Sequence, residues 1–451
     1  MGQSIRKAFH QQTLRFVISL VCLAVLAILL GRQFAFEPFK GGDFEIYYAA
    51  ASAVRNGDNP YLTTTAWVAQ YTPGGPLVAQ YVYAPIFALL LTPLTLLPYN
   101  TAVDAWAVCS FALLCIAMYA LVRSTGASVS VAQLLLLVTG ASLMSSVRTD
   151  LFAGNANAFL AACLCAAIWL RQARRPGLAG VLLALAGVTK PMLLGIVVFL
   201  LWKREFKFAL SSLATFVLLL LVPFLWIGER PFVDMVTVWQ FWSSHFLSFQ
   251  GNIAPRGVLE RTFNINPYVQ PIVVAPAFAT VIWLAIVAGV FIVTLALVAP
   301  RPIQRDGRTL LEFGLIISAF LVMSPLTETI YLAFLIIPFA ASFMFLRASN
   351  VRGWQLVAAS SPLLFVWLFE VLPRGNVESF FPPQSPSRAY VLIAAFLQQA
   401  YLLSYAAGVK PHQAVANLVR NCPQLALDWL RDFGSATMVR RISPAASSTE
   451  S

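Results

Sequence analysis

The sequence predicts an all-α membrane protein with many transmembrane helices. Of its 451 residues, 59% are hydrophobic and only 11% are charged, and the mean hydropathy is +0.77. Apolar runs of roughly 17 to 25 residues, the length that a helix needs to cross hydrocarbon, recur along nearly the whole chain. This composition excludes a water-soluble domain and a protein with one membrane anchor.

The net charge of +12 predicts an orientation in the membrane rather than a nucleic-acid partner, because the basic residues cluster at the ends of apolar runs. With these clusters inside, roughly twenty Lys/Arg and six Asp/Glu are cytoplasmic, against roughly ten and twelve outside. We therefore predict a multi-pass protein of the inner membrane with both termini in the cytoplasm. The clusters are at Arg123, 171–175, 203–204, 301–308, 347–352 and from Lys410 onward.

The predicted organisation is a transmembrane module at 1–409, with about ten to twelve helices, and a cytoplasmic tail at 410–451. External loops are expected at about 36–83, 228–270 and 373–389. Segment 84–98 is interpreted as re-entrant or interfacial, because a crossing there would place Arg123 outside. The predicted apolar segments, in order, are 16–34, 84–98, 101–122, 131–147, 156–170, 178–202, 208–227, 271–298, 310–323, 330–346, 354–372 and 390–407.

The tail has amphipathic spacing, which suits a helix on the anionic inner leaflet, although a solvated tail remains an alternative. Pro423 is expected to interrupt any such helix.

Segment 178–202 differs from the other apolar runs because both of its ends carry basic clusters. Gly187-Val188-Thr189-Lys190-Pro191 stands in its middle, so we predict two short helices that meet at Lys190. A lysine within the membrane indicates a functional site. The alternative is a lysine that snorkels to the nearest interface.

The first external loop contains the strongest candidate for a catalytic group. Gly41-Gly42-Asp43 begins a predicted short helix that ends at Gly57. Asp43 suits a general base that removes a proton from an acceptor hydroxyl, and the alternative is a structural N-cap. We also predict substrate-binding roles for Glu45, Tyr47, Tyr48 and Tyr83.

Several short motifs together resemble glycosyltransferase family 87, a group of polytopic enzymes of the GT-C type that includes mycobacterial mannosyltransferases. The resemblance runs from about Gly41 to Pro338. It rests on Asp43-Phe44 with Tyr47-Tyr48, 57–61, 81–85 with Pro93 and 97–98, 154–157, Lys190-Pro191 and Ser324-Pro325.

The resemblance implies a GT-C-type helical bundle that transfers a sugar from a polyprenyl phosphate to a lipid or glycan acceptor with inversion. Asp43 is then the base, the lipid phosphate is the leaving group, and Lys190 stabilises it. One departure affects the sugar: Thr327-Glu328-Thr329 stands after Ser324-Pro325, where mycobacterial members have an aromatic residue, an acid and a histidine. Mannose is therefore favoured but not fixed.

Other polar residues expected on the outer face have two interpretations each. Arg148, Arg256 and Arg261 are candidates for phosphate contact, with solvated surface roles as the alternative for the last two. Asn155 and Asn157 are suited to sugar hydroxyls or to capping a helix. Glu328 either binds substrate or is an exposed carboxylate that starts the next helix.

The main alternative function is a transporter or flippase of a lipid-linked or glycan substrate, which also needs many helices and a broken one. A non-catalytic assembly protein is a further alternative. No metal or cofactor is predicted, because the three histidines are far apart and Asp43 and Glu45 diverge on a helix.

Overall fold

The computed structural model describes residues 2–35, 41–62, 72, 80–126, 128–298, 307–348 and 386–437. Within these ranges the chain forms eighteen α-helices and no β-strand, which confirms the predicted all-α polytopic fold. The predicted apolar segment 354–372 and most of the predicted loop 373–389 lie outside the described residues.

The first nine helices include α3 in the predicted re-entrant segment 84–98, the long helix α4 after it, and the two helices on either side of Lys190. Helix α3 continues as a 3₁₀ turn at Thr92–Leu96. The helices are α1 Gly2–Ala35, α2 Gly42–Asn56, α3 Pro85–Leu91, α4 Tyr99–Ser124, α5 Val131–Leu143, α6 Ser145–Ala153, α7 Asn157–Gln172, α8 Pro176–Thr189 and α9 Ile196–Trp202.

The second nine helices include two in the predicted loop 228–270, which is therefore structured. A 3₁₀ segment at Thr329–Leu335 precedes α16. The helices are α10 Phe206–Leu221, α11 Phe224–Ile227, α12 Arg230–His245, α13 Pro255–Phe263, α14 Pro276–Leu297, α15 Gly307–Met323, α16 Ile336–Ala348, α17 Ser387–Ala407 and α18 Pro411–Thr437.

Five helical segments in the described residues are long and apolar enough to cross a membrane, and α5 with α6 makes a sixth if the bent pair is one span. The two members of that pair are inclined by 83°, where the sequence predicted one run at 131–147. Helix α5 ends at Leu143, and the backbone of Met144, between the two helices, is extended. The described residues also contain shorter apolar helices. The predicted total of ten to twelve membrane helices therefore requires some of these shorter helices to cross or re-enter the membrane.

The predicted break at Lys190 is present. Lys190 is extended and Pro191 begins a 3₁₀ turn, Pro191–Gly195, before α9. Proline lacks the N–H that would continue the helical ladder, and it disfavours the helical conformation of the residue before it. Pro191 is therefore sufficient to end α8 at Thr189, just before Lys190.

Helix α2 lies against the end of α6, and two glycines permit the close approach. Gly41 precedes α2 with φ +78°, and its N–H donates to the carbonyl of Phe152 at 3.0 Å. Gly154 has φ +69°, and a Cβ there would lie 2.7 Å from the Cβ of Phe44. The ring of Phe44 stacks on Trp106 with ring centroids 5.8 Å apart. The start of α2 is thereby fixed beside the start of α7.

The tail forms one helix through position 423, so the predicted interruption at Pro423 is wrong. A proline inside a helix costs one backbone hydrogen bond and a local clash. The end of α18 is docked on the bundle, since Trp429 donates to the carbonyl of Leu201 at 2.8 Å. Asp432 also pairs with Arg204 at 2.5 Å. We attribute the continuous helix to this docking.

Candidate active site

A cavity of about 200 Å³ lies where the start of α2, the residues before α3, and the segment after α15 meet. Five predicted site residues line it: Asp43, Tyr47, Tyr83, Asn155 and Glu328. The sequence separates these residues by up to 285 positions, so their meeting is a property of the fold. The remaining lining residues are Ile46, Gln80, Val82, Trp242, Leu326 and Tyr331.

Asp43 points into this cavity from the first turn of α2. The N-cap is Gly41, and the helix has no side-chain cap, so the capping interpretation of Asp43 is wrong. Its Oδ2 accepts a hydrogen bond from the amide of Asn155 at 2.8 Å. Burial raises the pKa of Asp43, while the Asn155 hydrogen bond and the ammonium of Lys190 partly oppose that rise. A raised pKa makes the carboxylate a stronger base than a solvated aspartate.

Lys190 is buried, with 5% of its surface exposed, so the snorkelling interpretation is wrong. Its Nζ donates to Oδ1 of Asn157 at 2.7 Å and lies 3.4 Å from the ring centroid of Tyr331. The Asn157 amide in turn donates to the carbonyl of Ile330 at 3.3 Å. Lys190 is not among the described cavity-lining residues; it lies behind Tyr331, close enough for its charge to act on Asp43 and Glu328.

Asp150, which the sequence interpretation did not select, holds the start of α7. Its carboxylate accepts hydrogen bonds from the backbone N–H groups of Asn157 at 3.2 Å and Ala158 at 3.0 Å. It performs the capping role that was one interpretation of Asn155 and Asn157, and the side chains of those two asparagines are directed to Asp43 and Lys190 instead. An acidic residue shortly before an apolar helix was the available signal.

Glu328 is positioned by a buried asparagine from the segment between α12 and α13. Asn252 is fully buried, and its side chain accepts from the N–H of Thr327 at 3.1 Å and donates to the carbonyl of Pro325 at 3.0 Å. A β-bridge pairs Asn252 with Glu328, and the N–H of Ile253 donates to the carbonyl of Thr327 at 2.8 Å. Asn252 therefore ties two distant segments together.

Glu328 is partly buried and lines the cavity, so its interpretation as an exposed carboxylate is wrong. Burial raises its pKa, and the ammonium of Lys190 lowers it in part. The like charge of Asp43 adds to the rise. Two carboxylates with raised pKa values therefore face one cavity, with one ammonium behind it.

Tyr47 and Tyr83 supply hydroxyl groups to the same cavity. The Tyr47 hydroxyl donates to the Tyr83 oxygen at 2.7 Å, and the rings pack edge to face with centroids 5.0 Å apart. Burial raises the pKa of both phenols well above the ordinary value of 10. They therefore remain neutral hydrogen-bonding groups, the kind that recognises sugar hydroxyls.

Two other predicted residues of α2 face away from the cavity. Glu45 is buried and accepts from the Thr72 hydroxyl at 2.9 Å. The Tyr48 hydroxyl donates to the carbonyl of Leu97 at 2.7 Å. Both contacts fasten α2 to neighbouring chain segments, and the predicted substrate roles of these residues stay predictions.

The predicted phosphate-binding arginines are not among the described residues that line the cavity. Arg148 is partly buried on α6. Arg256 pairs with Glu260 at 2.5 Å and donates to the Thr280 hydroxyl at 3.1 Å, which joins α13 to α14. Their predicted phosphate contacts stay predictions.

Arg261 is fully buried, so its interpretation as a solvated surface residue is wrong. It donates to the carbonyls of Phe249 at 2.6 Å and Asn252 at 2.9 Å. These contacts support the backbone around Asn252, and through it the segment that carries Glu328. Arg261 is therefore directed to backbone oxygen atoms beneath the site.

These features define a polytopic membrane protein with acid–base residues in a cavity at one end of the bundle. The chain matches glycosyltransferase family 87 over residues 81–325, more than half of its length, and it belongs to that family. The match includes Tyr83, Asn155, Asn157 and Lys190, whereas Glu328 lies 3 residues after it and Asp43 lies 38 residues before it. A comparison with curated proteins gives no match.

Family membership makes the protein a membrane glycosyltransferase with a sugar donor and an acceptor as substrates. This result favours the predicted transferase over the transporter alternative. Among the described residues, no group of three or more His, Cys, Asp or Glu side chains is arranged to hold a metal ion.

Proposed function

We propose that the protein transfers a hexose, with mannose favoured, from a polyprenyl phosphate to a lipid or glycan acceptor. The transfer inverts the anomeric centre, and Asp43 is the general base. The observation that carries this proposal is the Asp43 carboxylate in the cavity wall, held by Asn155 at 2.8 Å.

The reaction requires one base and one group that accepts the departing charge. Asp43 takes the proton of the acceptor hydroxyl while that oxygen bonds to the anomeric carbon. The bond from this carbon to the phosphate oxygen breaks, and its electron pair leaves with the lipid phosphate. Because the acceptor oxygen attacks opposite the leaving group, the configuration inverts. The proton then passes from Asp43 to water.

The positive charge of Lys190 supports a phosphate leaving group. A fixed ammonium in surroundings of low dielectric stabilises developing negative charge more than it would in water. Asn157 and Tyr331 hold the ammonium in place, so little reorganisation is needed as the charge develops.

The cavity lining supports a single sugar unit on a lipid carrier. Tyr47, Tyr83 and Asn155 offer hydrogen bonds, while Ile46 and Val82 add apolar surface. A volume of about 200 Å³ is below the roughly 300 to 1,000 Å³ typical of pockets for larger ligands. The distribution of basic clusters supports an outer-face site on the inner membrane.

The test is a transfer assay with purified full-length protein, comparing polyprenyl-phosphate mannose, polyprenyl-phosphate glucose and a nucleotide sugar with a lipid acceptor extract. We expect transfer from a polyprenyl phosphate, with the opposite anomeric configuration in the product by NMR. Transfer from the nucleotide sugar alone, or retained configuration, would contradict the proposal.

The mechanistic part is tested with Asp43→Asn. Asparagine can still accept the hydrogen bond from Asn155 but cannot take up the proton, so the rate should fall by about 10² to 10⁴. The matched control is Asp58→Asn, an exposed aspartate just beyond α2, which should transfer at the wild-type rate. Equal rates for the two variants would exclude Asp43 as the base.

A further inference from the structure

A second cavity, of about 310 Å³, lies at the opposite end of α15 from the candidate active site. Arg308, in the first turn of α15, lines this cavity, whereas the segment after Met323 reaches the active site. The two ends of this helix are about 25 Å apart at 1.5 Å per residue. The second cavity is therefore separate from the site of sugar transfer.

Charged side chains stand beside this cavity, and one of them, Arg308, lines it. The buried pair of Lys203 and Glu312 is in direct contact, and Arg308 lies 3.6 Å from the same carboxylate. One carboxylate thus faces two cations. The neighbouring Arg204 and Asp432 pair at 2.5 Å and balance each other.

A guanidinium in the wall of a cavity attracts an anion.

The remaining walls suit a ligand that is polar at one end and apolar at the other. Asn417 and Asn421 bring amide groups from α18, while Trp202, Leu297 and Leu418 provide apolar surface. Amide and guanidinium N–H groups are donors for phosphate oxygens. A small soluble anion would make no favourable contact with the apolar walls.

The cavity adjoins the last turn of α14, a span whose apolar window is only 17% buried. Side chains such as Val281 and Leu284 of α14 are more than half exposed, which in a membrane protein means contact with lipid. Helix α18 carries exposed Val419 and Leu430, as expected for a helix in the membrane surface.

We propose that this cavity binds one anionic phospholipid of the adjacent leaflet. Arg308 and the amides of Asn417 and Asn421 hold its phosphate, and its acyl chains lie along the exposed face of α14. The bound lipid would join α18 to the spanning helices. This proposal does not depend on which sugar the active site transfers.

The test measures bound lipid by native mass spectrometry of the full-length protein titrated with phosphatidylglycerol or phosphatidylcholine in detergent. We expect one phosphatidylglycerol to be retained in preference to phosphatidylcholine. Arg308→Gln should weaken retention about tenfold, because it removes a charged hydrogen-bond donor. Arg175→Gln, which removes an exposed arginine outside the cavity, is the matched control and should bind as wild type.

Asn417→Leu provides a second test that leaves every charge in place. It should also weaken phosphatidylglycerol retention, by a smaller factor than Arg308→Gln, and it carries the test if Arg308→Gln does not fold. Wild-type retention in the folded variants, or equal binding of phosphatidylcholine, would overturn the proposal. Displacement of the lipid by millimolar inorganic phosphate would also overturn it, since that result indicates a site for free anions.

Discussion

Charged residues make different kinds of contact at the two ends of the helical bundle. At the end with the second cavity, Lys203 with Glu312 and Arg171 with Glu205 form direct ion pairs. At the active-site end, the described contacts of Asp43 and Lys190 are with neutral groups: an amide for the first, and an amide and an aromatic ring for the second.

This difference separates charged residues that stabilise helix packing from charged residues that are available for the reaction. An ion pair in direct contact neutralises both partners and stabilises the packing of the helices that carry them. A carboxylate held by a neutral amide keeps its ability to accept a proton, and an ammonium held in the same way keeps its charge for a substrate anion. Substitutions at the two ends should therefore damage different properties.

The largest effect on stability is expected for Glu312→Gln. This change leaves Lys203, which is 1% exposed, without its carboxylate, and removing one member of a buried pair costs about 3 to 5 kcal/mol. Denaturation of the detergent-solubilised protein measures the loss, and the exposed Glu229→Gln is the control. If both variants unfold at the same midpoint, the pair has no structural role.

The next effect, on catalysis, is expected for Lys190→Gln. Glutamine can still donate to Asn157 but carries no charge, so kcat should fall by roughly 10² to 10³, as for other removed electrostatic donors. The folded fraction should remain at the wild-type level. Lys207→Gln changes an exposed lysine and serves as the control; a similar kcat in both variants would show that the charge of Lys190 is not used.

A smaller effect, on pH dependence, is expected for Asn155→Ala. The Asn155 hydrogen bond stabilises the ionised form of Asp43 and so lowers its pKa. Without that bond the pKa rises further, and the base becomes ionised only at higher pH. The acid limb of kcat/KM should therefore move up by about one pH unit. An unmoved limb, as expected of the exposed Asn56→Ala, would contradict this assignment.

The local features of the fold could be predicted from the sequence. The length of α4, the break at Lys190 and the proline-interrupted segment before α4 depend on apolar periodicity and on proline chemistry within a few residues. The inclination of α5 and α6 was not predicted, because no proline or glycine stands at Met144 to indicate it. The helix through Pro423 was missed because tertiary docking outweighs a local breaker.

The site was predictable only in part, because it depends on contacts between residues that are distant in the sequence. Asp43 and Glu328 could be selected as acids outside the predicted membrane spans, but their shared cavity depends on Asn252, which joins segments 73 residues apart in the chain. The roles of Asn252 and Arg261 are hydrogen bonds to distant backbone atoms. Such contacts leave no periodic pattern in a single sequence. Asp150 was missed because a buried capping carboxylate resembles an ordinary loop acid.

The most direct test of the distinction between the two ends measures transfer rate and unfolding midpoint on the same preparations of Asp43→Asn and Glu312→Gln. We predict that Asp43→Asn loses transfer by about 10² or more with a wild-type unfolding midpoint. Glu312→Gln should unfold earlier, yet transfer at the wild-type rate per folded molecule. Wild-type transfer by Asp43→Asn would contradict the account.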